Sequence, residues 1–495
     1  MDPARSTIIL TCVAVYMTMC VGVGLWALRR TRTTRDFFMA GRDLGIVVTG
    51  IAVFSSTMSG FGFVGGPGLV YRMGMSSVWM VVCTSIGYAL SFFLLGKRIR
   101  LFAELCDSVS LPDVVAARYR SETSRFLTAV AILLGVMGYL ATQILAMATV
   151  LQDIMAGNEA IGQVSIEWCV ALSCAVLVFY CVTGGIIASV YTDLVQGMIM
   201  MVAAVLVCLA AMRAVDGGFA GMSRTILADD PEAMSPWGTL GMLGCLSWYF
   251  LFTLGGAGQP HVVTKLMMNK DVHDAKHTLP VSVIGYSLSA LLWISIGLVM
   301  RALVLQGKHP ELPHADAAAS QFLQTEHVAP ILAGLVFAGL FAAIMSTADA
   351  FLNIGAAAVV HDIPRALRGR SLRRELLWAR TATVIIAVVA ATFALYTGDL
   401  VALLGAFGWG TFAAALVPVV AVGFNWKRAT ATAANVAITV SLAANFAIKL
   451  CGIHLPHNID GGAVALLLSL TLFFGISLLS PPPKLDPEID AVMDL

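Results

Sequence analysis

The sequence predicts an all-α integral membrane protein that crosses the bilayer about thirteen times. The chain has 495 residues, of which 59% are hydrophobic and only 12% are charged, and its mean hydropathy is +0.87. Uncharged runs of roughly 20 residues, the length of a membrane-spanning helix, recur along the whole chain. A soluble domain of this composition could not cover its surface with polar groups, so a protein surrounded by lipid is the expected class.

The uncharged runs are separated by short polar connections. They lie at 6–28, 46–71, 75–96, 126–152, 166–184, 186–212, 240–260, 279–300, 328–360, 381–398, 400–423, 429–448 and 462–480. With the N-terminus outside, the cytoplasmic segments collect about 23 of the 30 basic residues, chiefly in Arg29–Arg42, Lys97–Arg125 and Arg365–Arg380. We therefore expect a multi-pass protein of the cell membrane with a cytoplasmic C-terminus.

The ends of the chain and its long connections carry weaker signals. Arginines follow the first run instead of preceding it, so we expect a retained span and not a secretory signal. Arg213–Thr239 and Arg301–His327 are expected to be solvated connections outside the membrane, with a short surface helix as the alternative. The tail 481–495 is proline-rich and then acidic, and we expect it to be cytoplasmic and disordered.

Two of the runs are interrupted by glycine and proline in similar ways. The second contains TMSGFGFVGGPG and the seventh contains TLGGAGQPH, and these two runs are five spans apart. Glycine and proline weaken helical hydrogen bonding. Irregular backbone is tolerated in a membrane where it lines a cavity, and paired broken helices are typical of transporters built from inverted repeats. Close helix packing is the alternative interpretation of the glycines.

Two carboxylates, Asp193 and Asp349, lie well inside the runs, and we expect no basic residue of any span to neutralise them. A buried carboxylate must be protonated, face water or bind a cation. Near Asp349, the residues Ala343, Ser346 and Thr347 share one small, oxygen-bearing helix face. Hydroxyl, carbonyl and carboxylate oxygens suit a hard cation, which favours sodium, with proton coupling as the alternative.

Other function classes are weakly supported. No arrangement of a nucleophile and a base indicates an enzyme, and no basic stripe with aromatic residues indicates a nucleic-acid partner. No charged ring or filter loop indicates a channel. A solute sensor on a transporter scaffold is less expected, because the sequence shows no attached signalling domain. No obligate protein partner is evident.

Several segments in order resemble the signatures of the sodium:solute symporter family, with proline and pantothenate permeases the most similar members. They are DFFMAGRDLG, SSTMSGFGFVGGPGLVYRMG, SLPDVVAARY, GGIIASVYTDLVQG, GAGQPHVVTKLMMNKD and AAIMSTADAFLNIGAAAVVHDI. The resemblance implies a LeuT-type core of two inverted five-helix repeats, 46–212 and 240–423. One extra helix, 6–28, would precede this core, and two helices within 429–480 would follow it.

The resemblance also implies the ligands of a coupling sodium ion. Its backbone ligands would fall on Ser55, Met58 and Ala343, and its hydroxyl ligands on Ser346 and Thr347. Some members bind a second cation through an aspartate that matches Asp193. The hydroxyl positions of that second site are occupied here by Asp349 and Ala350, so Asp349 is a departure that would serve as a ligand or take a proton.

The solute pocket is also implied by the resemblance. The positions that would line it are Phe61, Tyr139, Phe252, Gly256 and Gln259. A tyrosine of the proline carriers falls on Gly256 and an aspartate falls on Thr57, and both departures argue against simply assigning proline. The sequence thus predicts sodium-driven import of a small carboxylate or amino acid (proline-, pantothenate- or monocarboxylate-like) through a lipid-embedded protein. A proton-coupled symporter of the same fold is the alternative.

Overall fold

The computed structural model describes residues 3–28, 38, 45–156, 164–370, 372–397 and 401–494. The predicted basic segment Arg29–Arg42 lies outside them except for Phe38. In order, the α-helices are α1 (Pro3–Leu28), α2 (Ile46–Thr57), α3 (Gly66–Met73), α4 (Val78–Leu105), α5 (Leu111–Tyr119), α6 (Glu122–Ala156), α7 (Ile166–Ala214), α8 (Gly218–Asp229), α9 (Gly241–Gly255), α10 (Pro260–Met267), α11 (Ala275–Leu305), α12 (Ala318–Gln324), α13 (Pro330–Ala357), α14 (Ile363–Arg368), α15 (Glu375–Thr397), α16 (Val401–Leu416), α17 (Ala431–Leu450), α18 (Gly461–Leu479) and α19 (Pro487–Met493).

The described residues include 11 helices that are long and apolar enough to cross a membrane. Two shorter apolar helices accompany them, α2 and the first part of α7, Ile166–Phe179. With its 49 residues, α7 is about twice as long as one crossing needs, and it contains both predicted spans 166–184 and 186–212. The all-helical membrane fold is therefore confirmed. The number of crossings and the sides on which the termini lie stay predictions.

Both predicted breaks occur where glycine and proline weaken the helix. The first span ends as α2 at Thr57, passes through a π-helical turn at Phe61–Gly65 and resumes as α3. The other ends as α9 at Gly255, forms a 3₁₀ turn at Gly256–Gly258 and resumes as α10 at Pro260. At these two places, backbone carbonyls lack the N–H partners that a continuous helix would provide.

Helix α13 lies at the centre of the bundle. It packs against α1, α2, α6, α7 and α15, and from Val336 to Asn353 every residue of it is buried. Close approach is possible because glycines and alanines dominate its surface. The last two long helices, α17 and α18, pack on each other and on α16. The polar residues of α13 therefore face protein and not lipid.

Both long connections contain a short helix, which was the alternative expectation for them, and not the plain solvated connection that was expected first. Arg213–Thr239 contains α8, whose Met222 and Ile226 are buried, and Arg301–His327 contains α12, whose Phe322 and Leu323 are buried. The two buried residues are four positions apart in α8 and adjacent in α12. Each short helix therefore has one apolar side that it buries against the bundle. Both connections are thus folded caps on the bundle.

The tail is also folded, contrary to the expectation of disorder. Asp486 accepts a hydrogen bond from the Glu488 N–H and so caps α19. Ile489 and Met493 of this helix are buried, and it packs against α4. Lys427 also pairs with two carboxylates of the tail, each at 2.7 Å.

Candidate cation and solute site

The hydroxyl groups predicted for sodium lie between the end of α2 and the middle of α13. The Ser55 Oγ is 3.3 Å from the Ser346 Oγ. The Thr347 Oγ1 donates to the Ser56 carbonyl at 2.8 Å and so ties the two helices together. None of these side chains has any exposed surface. The structure thus brings the two halves of the predicted sodium set into direct contact.

Backbone carbonyls complete this cluster of oxygens. Ser55 and Met58 lie in the last turn of α2, where carbonyls have no further N–H group of their own helix. The Ala343 carbonyl accepts from the Ser346 and Thr347 hydroxyls at 3.3 and 3.1 Å. Hydroxyl and carbonyl oxygens without a nitrogen or sulfur ligand are typical of a site for a hard cation.

A buried lysine next to this cluster was not predicted. Lys265 of α10 places its Nζ 3.0 Å from Asp193 Oδ2 and 2.7 Å from the Ala52 carbonyl of α2. Its side chain is 2% exposed and that of Asp193 is 0% exposed. The expectation that no basic residue would neutralise the membrane carboxylates was therefore wrong for Asp193. The predicted span ended at residue 260, whereas the buried half-helix α10 continues beyond it.

Asp349, the other membrane carboxylate, has no such partner among the described residues. Its Oδ1 accepts from the Asn353 Nδ2 at 3.1 Å, one helical turn further along α13. Its Oδ2 makes no hydrogen bond of normal geometry within the described part of the chain. The side chains of Cys181 and Ser189 face this carboxylate. Asn353 therefore belongs to the site, although it was not predicted from the sequence.

The buried charges around the cluster do not cancel. Asp193 and Asp349 would carry two negative charges when ionised, and Lys265 carries one positive charge. All three side chains are at most 2% exposed. Because an uncompensated charge is costly away from water, the cluster can accept one further monovalent cation or a proton.

Of the predicted solute residues, Phe61 and Tyr139 lie together beside the break in the first span. Their ring centroids are 6.4 Å apart, and Trp293 packs edge-on against Phe61 at 5.8 Å. Phe351 contacts Tyr139 at 4.6 Å. These rings form one buried aromatic group around the π-helical turn.

The other three predicted solute residues lie at the second break. The Gln259 Nε2 donates to the carbonyls of Gly255 and Trp409 at 3.1 and 3.3 Å. Phe252 packs on Trp409, with ring centroids 5.5 Å apart. Gly256 lies so close to α4 that a Cβ there would come within 2.9 Å of the Gly87 carbonyl oxygen. Gln259 and Phe252 therefore share Trp409 as their neighbour.

His261 connects the two breaks, and it was not predicted. Its Nε2 is 3.3 Å from the Thr57 Oγ1 at the end of α2, and its ring lies 6.3 Å from that of Tyr139. The His261 Nδ1, Gln259 Oε1 and Trp293 Nε1 atoms are buried without a hydrogen-bond partner among the described residues. Buried polar atoms are normally paired, so this group offers hydrogen bonds to a bound polar molecule.

Gln143 of α6 is a further residue of the site that was not predicted. Its Oε1 accepts from the Gly60 N–H at 2.9 Å, and its Nε2 donates to the Ser59 Oγ at 3.3 Å. It thereby satisfies the backbone that the break in the first span leaves open. A glutamine that faces a broken helix was not distinguishable from other polar residues by spacing alone.

Two broken helices, a cluster of buried oxygen atoms between them and a buried aromatic group are typical of a secondary transporter of the LeuT type. The chain belongs to the sodium:solute symporter family, whose profile matches residues 37–440.

Curated relatives and solved structures agree with this assignment. The osmoregulated proline transporter OpuE of Bacillus subtilis is 27% identical over 88% of this chain and 87% of its own length. The sodium/proline symporter of Escherichia coli is 28% identical over 86% of this chain and 85% of its own length. A Na⁺-coupled sialic acid symporter in a substrate-bound outward-open state has the same fold, with a TM-score of 0.78, 20% identity and coverage of 97% and 99% of the two chains.

Proposed function

We propose that this protein is a plasma-membrane importer that couples the entry of one sodium ion to the uptake of a small amino acid or carboxylate. Membership of the sodium:solute symporter family and its multi-pass membrane fold are the starting point. The observation that carries the proposal is the contact of Ser55, Ser346 and Thr347 at the end of the broken helix, beside a cluster with one unbalanced negative charge.

The stoichiometry of one sodium ion follows from Lys265. Its ammonium group lies 3.0 Å from Asp193 Oδ2 and balances the charge of this carboxylate, although Asp193 Oδ1 has no hydrogen-bond partner among the described residues. Family members with two cations would need this aspartate as a ligand. With Asp193 neutralised by Lys265, Asp349 supplies the single charge that one sodium ion balances.

The solute class is inferred from the aromatic group and from the relatives. Phe61, Tyr139 and Trp293 provide an apolar surface for a small body, and His261 and Gln259 provide unpaired polar atoms for its polar groups. Two kinds of relative, a proline transporter and a sodium/proline symporter, carry a small amino acid. We therefore place proline and similar small amino or carboxylic acids first among the candidate solutes.

Alternating access would couple the two ligands. Sodium between α2 and α13 would hold the broken helix in one arrangement and raise the affinity for solute beside it. By linkage, the solute would raise the affinity for sodium by the same factor. Thr57 is well placed for this coupling, because it ends α2 and contacts His261 of the solute group.

Uptake by the purified protein in lipid vesicles tests this function. Proline, pantothenate, acetate, pyruvate and sialic acid are offered under an inward sodium gradient and, separately, under an inward proton gradient without sodium. We expect a small amino or carboxylic acid to accumulate with sodium only, and one sodium ion to enter per solute molecule. Accumulation that follows the proton gradient and ignores sodium would establish the alternative, in which Asp349 carries a proton.

A further inference from the structure

Helix α13 carries polar side chains from the cation cluster towards one end of the bundle. Asp349 contacts Asn353 at 3.1 Å, and Asp362 follows in the π-helical turn Ala358–Asp362 that continues α13. The two aspartates are 13 positions apart, which corresponds to about 20 Å along a helix. Asp362 lies at the end of the bundle that the basic residues predict to be cytoplasmic.

A narrow cavity occupies the space between Asn353 and Asp362. Thr264 of α10 and the start of α5 form its other walls. Its water-accessible volume is about 20 Å³, which is enough for one water molecule. Most of its lining is apolar, and Ser110, Thr264, Asn353 and Asp362 are its polar members, so Asn353 and Asp362 share one water-sized space.

Asp362 lines that cavity and has one carboxylate oxygen without a hydrogen-bond partner among the described residues. The residue has no exposed surface, and its Oδ1 accepts from the Ser110 Oγ at 2.5 Å. Its Oδ2 is buried and has no hydrogen-bond partner among the described residues. Asp349 also has such an oxygen, so each end of the path from Asp349 through Asn353 to Asp362 presents a carboxylate oxygen that is not engaged.

The charged residues around Asp362 are engaged with each other. His361 places its Nε2 3.0 Å from Asp113 Oδ2 and its Nδ1 2.7 Å from Glu375 Oε1. Asp113 also pairs with Arg125 and Arg365. Burial alone would raise the pKa of Asp113, but the hydrogen bond and charge of His361, with the charge of Arg125, outweigh it and hold that pKa below its usual range.

These ion pairs argue against a resident divalent metal on Asp113, His361 and Asp362, although their ligand atoms lie within 4.8 Å of one another. Both ring nitrogens of His361 are taken, and two guanidinium groups would repel a metal at Asp113. Asp362 remains the carboxylate of this cluster with an oxygen that has no hydrogen-bond partner among the described residues.

We propose that Asp362, Ser110 and Asn353 form a transient site for the monovalent coupling cation on its way from Asp349 to the cytoplasm. This inference rests on the proposed function. The cation leaves the oxygens of the main site, passes the amide oxygen of Asn353, and is held by Asp362 before it enters water. Oxygen ligands suit this hard cation, and the single-carboxylate site holds it weakly enough for release.

The test separates release of the cation from its binding. Radioactive sodium is the probe for purified wild-type and Asp362→Asn proteins. One assay measures equilibrium binding of labelled sodium to the proteins in detergent, as the number of sites and the half-maximal concentration. The other measures the initial rate of labelled sodium entry into sodium-free vesicles, with the solute that the uptake assay identifies present outside.

We expect Asp362→Asn to slow net entry into sodium-free vesicles about tenfold, as a barrier higher by about 1.4 kcal/mol would. Equilibrium binding should keep its number of sites and its half-maximal concentration, because the main site is unchanged. Ser110→Ala removes the hydroxyl that donates to Asp362 and that accepts from the Asp113 N–H at the start of α5, and it should show the same pattern more weakly. Asp460→Asn is the matched control, since this carboxylate caps α18 and an asparagine caps equally well.

A loss of binding sites that matches the loss of entry would indicate a structural role and would overturn the proposal, and so would net entry at the wild-type rate. Firm binding of zinc or manganese to the wild-type protein, lost in Asp362→Asn, would show a resident metal site and would also overturn it. If the wild-type protein moves no sodium at all, the proposed function itself fails, and that result is distinct from the others.

Discussion

At the residue scale, two hydroxyl groups join α2 to α13 at the proposed sodium site. Ser346 faces Ser55, and Thr347 donates to the Ser56 carbonyl. We expect Ser346→Ala or Thr347→Ala to raise the sodium concentration for half-maximal uptake about tenfold, because each loses an oxygen ligand worth roughly 1.4 kcal/mol. Asp349→Asn should raise it at least as much, because it removes the carboxylate charge that the single sodium ion balances in the proposed function.

Thr383→Ala is the control for these hydroxyl variants. Thr383 is buried, but its hydroxyl donates to the Ala379 carbonyl within α15. Its removal should leave the sodium dependence of uptake unchanged. Sodium dependence that is unaltered in both Ser346→Ala and Thr347→Ala would show that these groups are not ligands.

Lys265 and Asp193 form a buried pair whose members should depend on each other. Lys265→Met leaves the Asp193 carboxylate without its ammonium partner, which typically costs about 3–5 kcal/mol. Adding Asp193→Asn removes the buried charge, so the double variant should recover much of the lost stability. Thermal unfolding of the four proteins in detergent measures this coupling.

An exposed ion pair supplies the comparison for this cycle. Lys427 pairs with Asp490 and Asp494 but remains 40% exposed, so Lys427→Met should change the unfolding temperature little. If Lys265→Met and its double variant unfold at the same temperature, Lys265 and Asp193 do not compensate each other's charge.

At the scale of elements, the restart of the first broken helix depends on glycine for close packing. A Cβ on Gly66, the first residue of α3, would lie 2.2 Å from the Trp293 ring of α11. We expect Gly66→Ala to destabilise the protein by about 1–3 kcal/mol, because α3 and α11 must separate. Thermal unfolding and the yield of folded protein measure the effect.

Two further variants show whether this effect is steric. Gly22→Ala in α1 is the control, because a Cβ there meets nothing within 4 Å. Trp293→Phe removes part of the ring that the new methyl group would strike, so it should partly rescue Gly66→Ala. Equal unfolding temperatures of Gly66→Ala and Gly22→Ala would contradict the packing argument.

The broken helices were predictable because glycine and proline act locally on the backbone. The structure beyond each break was harder to predict, since the half-helix α10 is only eight residues long and mixes apolar residues with His261, Thr264 and Lys265. A half-helix that follows a proline at such a break must be surrounded by protein. This requirement was the available signal that Lys265 would be buried. Asn353 could have been found from its i, i+4 spacing to Asp349.

The folded tail was missed for a similar reason. Its composition is polar, but Asp486 precedes Pro487 as a helix start signal, and Ile489 and Met493 are spaced one turn apart. Composition averages over such short patterns. The neighbours of His261 and Trp293 were not predictable at all, because contacts between distant helices depend on how the whole bundle packs.

At the scale of the whole molecule, the direction of transport depends on which end of the bundle faces the cytoplasm. The basic residues predict that Lys97–Arg125 and the path that ends at Asp362 face the inside, and that the connection between α17 and α18 faces the outside. The direction of transport and the order of the cation sites both depend on this orientation.

The native cysteines permit a direct test of orientation. Of the ten cysteines, Cys451 alone is exposed, and it lies just after α17, on the side predicted to be outside. We expect a membrane-impermeant maleimide added to intact cells to label the protein, and Cys451→Ser to abolish the label.

Cys106, which is partly exposed after α4, should react only when the reagent reaches the cytoplasmic face. Inside-out vesicles supply that access, and Cys106→Ser is the control there. Labelling of Cys106 in intact cells, with Cys451 protected, would invert the topology and turn the path through Asp362 into an entrance from outside.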